Sequence, residues 1–138
     1  MDLYDWLLFL HVLSAFAIVG SVVVFTVLVA TSGATPSALR LTALGQRLWD
    51  VGGAGTLVFG VWLALHVQGY SLSDGWIIAA LVLWVIAAAA GTRLGMTFRQ
   101  ARGAERAAPA SAEALLLWAT MTLAVSALLV DMIFKPGA

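Results

Sequence analysis

The only two histidines of this chain, His11 and His66, both lie inside long apolar segments. An ionisable side chain costs roughly 2.5–3.5 kcal/mol at the centre of a membrane span, so each histidine is a candidate for a functional role. A carboxylate, Asp131, lies in another apolar segment, one helical turn before Lys135. Helical spacing predicts that the two histidines and Asp131 lie at similar depth, near one surface of a membrane.

Three kinds of site suit these residues. Two imidazoles on facing helices can ligate a b-type haem. His11, His66 and Asp131 also form a two-histidine, one-carboxylate set for copper or zinc, to which Met1 or Met132 would add a soft ligand. Third, the same residues could transfer protons without a cofactor, because histidine titrates near neutral pH. The alternative is that the histidines only form hydrogen bonds between helices, and that the carboxylate pairs with the lysine one turn along.

Four apolar segments must position these residues. They make up most of the 138-residue chain, of which 62% is hydrophobic and 10% is charged. Segments of about 20 apolar residues can cross a bilayer as helices, and their unbroken hydropathy favours helices over a barrel. We therefore predict an all-α integral membrane four-helix bundle, a single domain over residues 1–138, with spans at about 4–30, 48–67, 76–98 and 115–134.

Small residues recur at four-residue spacing in the second and third spans. Such stripes let helix backbones approach closely in lipid, where apolar burial gives no driving force between helices. On the first span, His11 shares a helical face with Ser14, Ile18 and Ser21. The stripes predict helix–helix contacts, within the bundle or between protomers, at Gly52, Thr56, Gly60, Ala87, Gly91 and Gly95.

The basic residues predict the orientation. Six of the seven Lys and Arg side chains lie between spans one and two, between spans three and four, or at the adjacent end of span three. Cytoplasmic loops carry an excess of Lys and Arg, so we predict that both termini lie outside. The formal net charge is zero, which gives no indication of a nucleic-acid partner. The chain has no cysteine, which excludes disulfides, iron–sulfur ligation and thiol catalysis.

The stretch Phe9-Leu10-His11-Val12-Leu13, followed by Gly20, resembles the first span of two bacterial membrane families. These are the copper resistance D family and the oxygen-independent protoporphyrinogen oxidase family, and the resemblance implies that His11 is a haem or metal ligand. The oxidase family carries an Arg soon after this Gly, whereas Ser21 follows here, so no catalytic residue is assigned. With Phe134-Lys135-Pro136-Gly137 after the last span, the whole chain is most similar to a family of bacterial four-span membrane proteins without an established function.

These observations predict a protein of the bacterial cytoplasmic membrane. It would bind haem b or a transition metal through His11 and His66, in electron transfer or metal handling. The competing prediction is a structural or accessory subunit, in a homo-oligomer or a larger membrane complex, whose histidines only pack between helices. A small proton-coupled transporter is the third possibility, although no span is broken by polar residues at the midplane.

Overall fold

The computed structural model describes residues 2–31, 40–67, 70–104 and 111–135 of the chain. These residues form four α-helices and no strand, and each helix is long and apolar enough to cross a membrane. The predicted all-α bundle is therefore confirmed. The helices are α1 (Leu3–Ala30), α2 (Leu41–His66), α3 (Gly75–Gly103) and α4 (Ala112–Phe134).

Two helices are longer than the apolar segments that predict them. α2 begins at Leu41 rather than near residue 48, and α3 continues to Gly103. Hydropathy marks only the part of a helix that suits lipid, whereas helical hydrogen bonds continue beyond it. Local caps define the ends of α4. The Ser111 hydroxyl accepts a hydrogen bond from the Ala114 amide (3.1 Å), and the helix stops at Lys135, whose φ of 41° is left-handed.

Successive helices run antiparallel, so the two ends of the bundle differ in charge. Four arginines lie at one end, which we call the arginine end: Arg40, Arg47, Arg99 and Arg102. α1 begins and α4 finishes at the opposite end, which we call the terminal end. The antiparallel order brings the start of α1 beside the end of α2 at the terminal end.

The bundle consists of two helix pairs, because α1 packs most extensively on α2 and α3 on α4. The pairs meet closely toward the arginine end. There Phe25 of α1 stacks on Phe98 of α3, with 6.2 Å between ring centroids. The Trp118 indole N–H of α4 donates to the Thr26 hydroxyl of α1 (2.9 Å). The largest fully buried apolar side chains lie in this half of the bundle: Phe25, Leu28, Leu94, Phe98 and Met121.

The predicted small-residue stripes lie where helices approach one another. A Cβ atom at Gly52 would lie 2.9 Å from backbone atoms of Ser14 and Ile18 on α1. On α3, Gly91 lies against the Trp49 ring and Gly95 against the Gln46 side chain, both of α2. Close approach through small residues is the packing mode that lipid favours. These contacts also place the predicted face of α1 against α2.

Candidate functional site

A cavity of about 320 Å³ lies between the two helix pairs in the terminal half of the bundle. Its volume falls within the range of small-molecule sites, about 300–1,000 Å³. All four helices contribute to its walls, which are mostly apolar, and the polar groups are few and separate. His11 and Thr56 lie on the α1 and α2 side, and Tyr70 and Lys135 lie toward the terminal end. The apolar lining includes Leu8, Val12, Leu57, Ala80, Leu128 and Met132.

The imidazole of His11 packs against Gly60 of α2. A Cβ atom at Gly60 would lie 2.9 Å from His11 Cε1, 3.2 Å from Nδ1 and 4.0 Å from Nε2. Any larger residue at position 60 would therefore displace the ring. Nδ1 is the ring nitrogen nearer to α2, and it is buried without a hydrogen-bond partner. Nε2 lies farther from Gly60 than Nδ1 does.

Thr56 lies one turn before Gly60 on α2 and is the polar residue of this helix that lines the cavity with His11. The ring approaches the Thr56 backbone carbonyl without completing a hydrogen bond. The Thr56 hydroxyl is also buried and unpartnered, although hydroxyls in helices commonly donate to the carbonyl four residues back. Ser14 (2.7 Å), Thr26 (2.7 Å) and Ser126 (2.8 Å) do form that bond here. His11 and Thr56 thus each hold a free polar atom in the same contact between helices.

Lys135 lies at the terminal end of the cavity. Its Nζ donates a hydrogen bond to the Tyr70 hydroxyl (3.0 Å) and lies 5.0 Å from the centroid of the Tyr70 ring. The same Nζ lies 5.6 Å from the centroid of the Trp76 ring, and the two rings meet edge to face at 5.3 Å. A cation over aromatic faces is stabilised by their negative quadrupoles. The predicted ion pair between Lys135 and Asp131 does not form, because the ammonium points to Tyr70.

The structure does not bring His66 to His11. His66 is the last residue of α2, is exposed, and does not line the cavity. It follows Gly60, the residue opposite His11, by six positions. At 1.5 Å and about 100° per residue, it lies about 9 Å farther along the helix and about a third of a turn around it. Spacing along the sequence indicated similar depth, but the packed face of α2 is the one that contains Thr56 and Gly60.

Asp131 is 8% exposed and does not line the cavity. Its Oδ2 is buried and has no hydrogen-bond partner. Within the described residues, no three His, Asp or Glu side chains are grouped as a metal site, so the predicted set with His11 and His66 is not assembled. Met132 does line the cavity, whereas Met1 lies outside the described residues. Of the predicted ligands, His11 and Met132 therefore share the cavity.

A second cavity, of about 410 Å³, extends the first toward the arginine end. The two cavities share part of their lining and are therefore neighbours. Small-residue spacing does not predict this cavity: Ala87, which that spacing assigns to a helix–helix contact, also borders it. The residues shared by the two cavities are Thr56, Leu57, Trp84 and Leu128.

No family model, curated protein or solved structure matches the chain.

Proposed function

We propose that this is a haem b-binding protein of the bacterial cytoplasmic membrane that takes part in electron transfer. His11 would ligate the haem iron in the 320 Å³ cavity. The observation that supports this most directly is an imidazole that lines a mostly apolar cavity and whose buried Nδ1 has no hydrogen-bond partner among the described residues. Histidine is a common axial ligand of haem iron. His66, which is exposed at the end of α2, has no part in this site.

The residues around His11 suit a ligand role. Histidines that bind metals usually donate their other ring N–H to a nearby oxygen, which fixes the tautomer and the ring orientation. Thr56 supplies such oxygens through its carbonyl and its unpartnered hydroxyl. Gly60 gives the ring room to lie against the helix. If Nδ1–H donates to one of these oxygens when haem is bound, Nε2 keeps its lone pair for the iron.

Bound haem b would supply one-electron redox chemistry. The protein would contribute binding, an apolar surrounding and control of the basicity of the His11 imidazole. The mostly apolar walls of the cavity would contact the haem ring, and His11 would orient it. Met132 lines the same cavity, and its thioether is of the kind that would supply a second ligand to haem iron.

We further propose an orientation with both termini outside. The arginine end would then be cytoplasmic, in agreement with the excess of basic residues in cytoplasmic loops. The cavity, in the terminal half of the bundle, would open near the outer leaflet.

An absorption spectrum tests the haem proposal. The protein is expressed in bacteria supplied with a haem precursor, purified in mild detergent and measured after air oxidation and after dithionite reduction. We expect a Soret band that sharpens on reduction. His11→Ala should abolish the band, whereas His66→Ala, the matched control, should leave both the band and the haem content unchanged.

Metal analysis of the same sample separates the alternatives. A colourless protein with stoichiometric copper or zinc would replace haem with metal handling. A colourless, metal-free protein from haem-supplied cells would overturn the proposal and favour an accessory subunit with packing histidines. A haem band that His66→Ala abolishes and His11→Ala preserves would contradict the assignment of the ligand.

A further inference from the structure

Among the residues that the structure describes, none pairs its carboxylate with the cation at the terminal end of the cavity. Lys135 is the only lysine of the chain, and it is half-buried at the lining of the cavity. Its left-handed backbone (φ 41°) is one that non-glycine residues rarely adopt. The ammonium is held by a neutral phenol and two aromatic rings. A half-buried charge next to an apolar space usually has a counter-charge, and none is supplied by the residues described around it.

Two carboxylates toward the terminal end, Asp131 and Asp74, do not serve as partners of Lys135. Asp131 lies one turn before Lys135 on α4, but the ammonium donates to Tyr70 instead. Asp74, in the segment before α3, accepts a hydrogen bond from the Ser71 amide (3.0 Å). Within the described residues, neither carboxylate therefore neutralises the Lys135 ammonium.

A second observation indicates the same missing group. Trp76 is 6% exposed and lines the cavity, and its indole N–H is buried without an acceptor. Tyr70 accepts from Lys135, so the hydrogen of its own hydroxyl remains free to donate. The terminal end of the cavity therefore gathers three donors: the ammonium of Lys135, the hydroxyl of Tyr70 and the indole of Trp76. Hydrogen-bond donors that lack an acceptor and lie next to an apolar cavity suit a ligand that has an anionic group attached to an apolar body.

We infer that Lys135, Tyr70 and Trp76 bind the carboxylate of an amphiphile whose apolar body occupies the cavity. A single carboxylate matches the single positive charge, and its two oxygens can accept from several donors. Two sources supply this chemistry, a haem propionate and a long-chain fatty acid of the membrane. The haem arm rests on the proposed function, whereas the fatty-acid arm does not.

Matched acids and esters test the inference. The probes are haem b and its dimethyl ester, and palmitate and methyl palmitate, each titrated into the purified protein in detergent and followed by quenching of tryptophan fluorescence or by competition. Esterification removes the charge and keeps the apolar body. We expect the protein to bind each preferred acid about tenfold to hundredfold more tightly than its ester, which is the range that a charged hydrogen bond supplies.

Variants then assign the preference to the three donors. Lys135→Met should lower affinity for the acid to that of the ester and leave affinity for the ester unchanged. Lys135→Arg, which keeps the charge, should retain the preference. Trp76→Phe should reduce the preference without abolishing it. A melting curve in detergent verifies that each variant is folded.

The haem pair and the palmitate pair of probes give distinguishable outcomes. A preference for haem over its ester, with none for palmitate, would assign the site to a propionate. A preference for palmitate in a protein that binds no haem would support the anion site and overturn the haem proposal. Equal affinities for acid and ester in both pairs, or a preference that survives Lys135→Met, would overturn the inference, whether or not a Soret band is present.

Discussion

His11 of α1 and Thr56 of α2 each have a buried polar atom in the contact between these two helices. Among the described residues, neither atom has a hydrogen-bond partner. Leaving a buried polar group unpaired costs about 1–3 kcal/mol. His11 Nδ1 and the Thr56 hydroxyl are both in that condition, on residues that lie beside each other across α1 and α2. In the haem-loaded protein, we expect the Thr56 hydroxyl to accept a hydrogen bond from Nδ1–H of His11. This bond would fix the imidazole in the tautomer whose Nε2 is free to ligate iron.

Thr56→Val tests this role of the hydroxyl in the haem-loaded protein. Loss of a hydrogen bond to Nδ1–H makes the imidazole a weaker donor to ferric iron, so the midpoint potential should rise. Loss of such a supporting partner typically weakens ligand binding about 10–100-fold, and we expect haem affinity to fall at the lower end of that range. Potentiometric titration and haem titration measure the two effects.

Two further variants separate this role from a general loss of packing. Thr56→Ser should restore both values, because it keeps the hydroxyl. Thr122→Val removes another buried, unpartnered hydroxyl, on α4 and away from the cavity lining, and should change neither. If Thr56→Val and Thr122→Val behave alike, the hydroxyl of Thr56 does not support His11.

The sequence is enough to identify candidate functional residues, but it does not show which other residues they contact. An imidazole in an apolar helix identifies His11 as a candidate whatever the tertiary structure, because lipid penalises polar groups. Whether His66 joins it depends on which face of α2 packs on α1. Glycine stripes predict a contact, and Gly60 does meet the ring, but the rotation that leaves His66 exposed follows from packing.

At the level of the helices, the glycines of α2 differ sharply in the space around them. A Cβ atom at Gly52 would press on backbone atoms of α1, which cannot move aside, and one at Gly60 would press on the His11 ring. A Cβ atom at Gly53 would meet nothing within 4 Å. Replacing glycine by alanine adds the same methyl group at all three positions, and the surroundings of that methyl group differ at each.

We expect Gly52→Ala to lower the melting temperature in detergent without changing the haem spectrum of the remaining folded protein. Gly60→Ala should displace His11 and weaken haem binding, with a smaller effect on melting. Gly53→Ala should be neutral or stabilising, since alanine is favoured over glycine within a helix by about 0.8–1.0 kcal/mol. Thermal melts and Soret absorbance of all three variants, measured side by side, provide the comparison. Equal loss of stability in Gly53→Ala and Gly52→Ala would contradict the close contact between α1 and α2.

The whole molecule adds a feature that no single segment contains. Two helix pairs join closely near the arginine end, through the Phe25–Phe98 stack and the Trp118–Thr26 hydrogen bond. Farther along, the Trp84 indole N–H of α3 donates to the Gly53 carbonyl of α2 (3.3 Å), and two cavities lie between the pairs. Hydropathy and small-residue spacing predict four spans and their contact stripes because lipid imposes both. They do not predict how two pairs of helices diverge, since that depends on side chains from all four helices meeting at once.

The orientation of the whole molecule is open to a direct measurement, because the chain contains no native cysteine. Ser73, in the segment between α2 and α3, and Ala104, at the end of α3, are both exposed and lie at opposite ends of the bundle. If the arginine end is cytoplasmic, Ser73→Cys should react with a membrane-impermeant maleimide in intact cells, and Ala104→Cys should react only after permeabilisation. The reverse pattern would place the histidine cavity near the inner leaflet and would require any carboxylate amphiphile to enter from the cytoplasmic side. Labelling of both cysteines in intact cells would indicate mixed orientations, and the carboxylate site would then be open to amphiphiles of either leaflet.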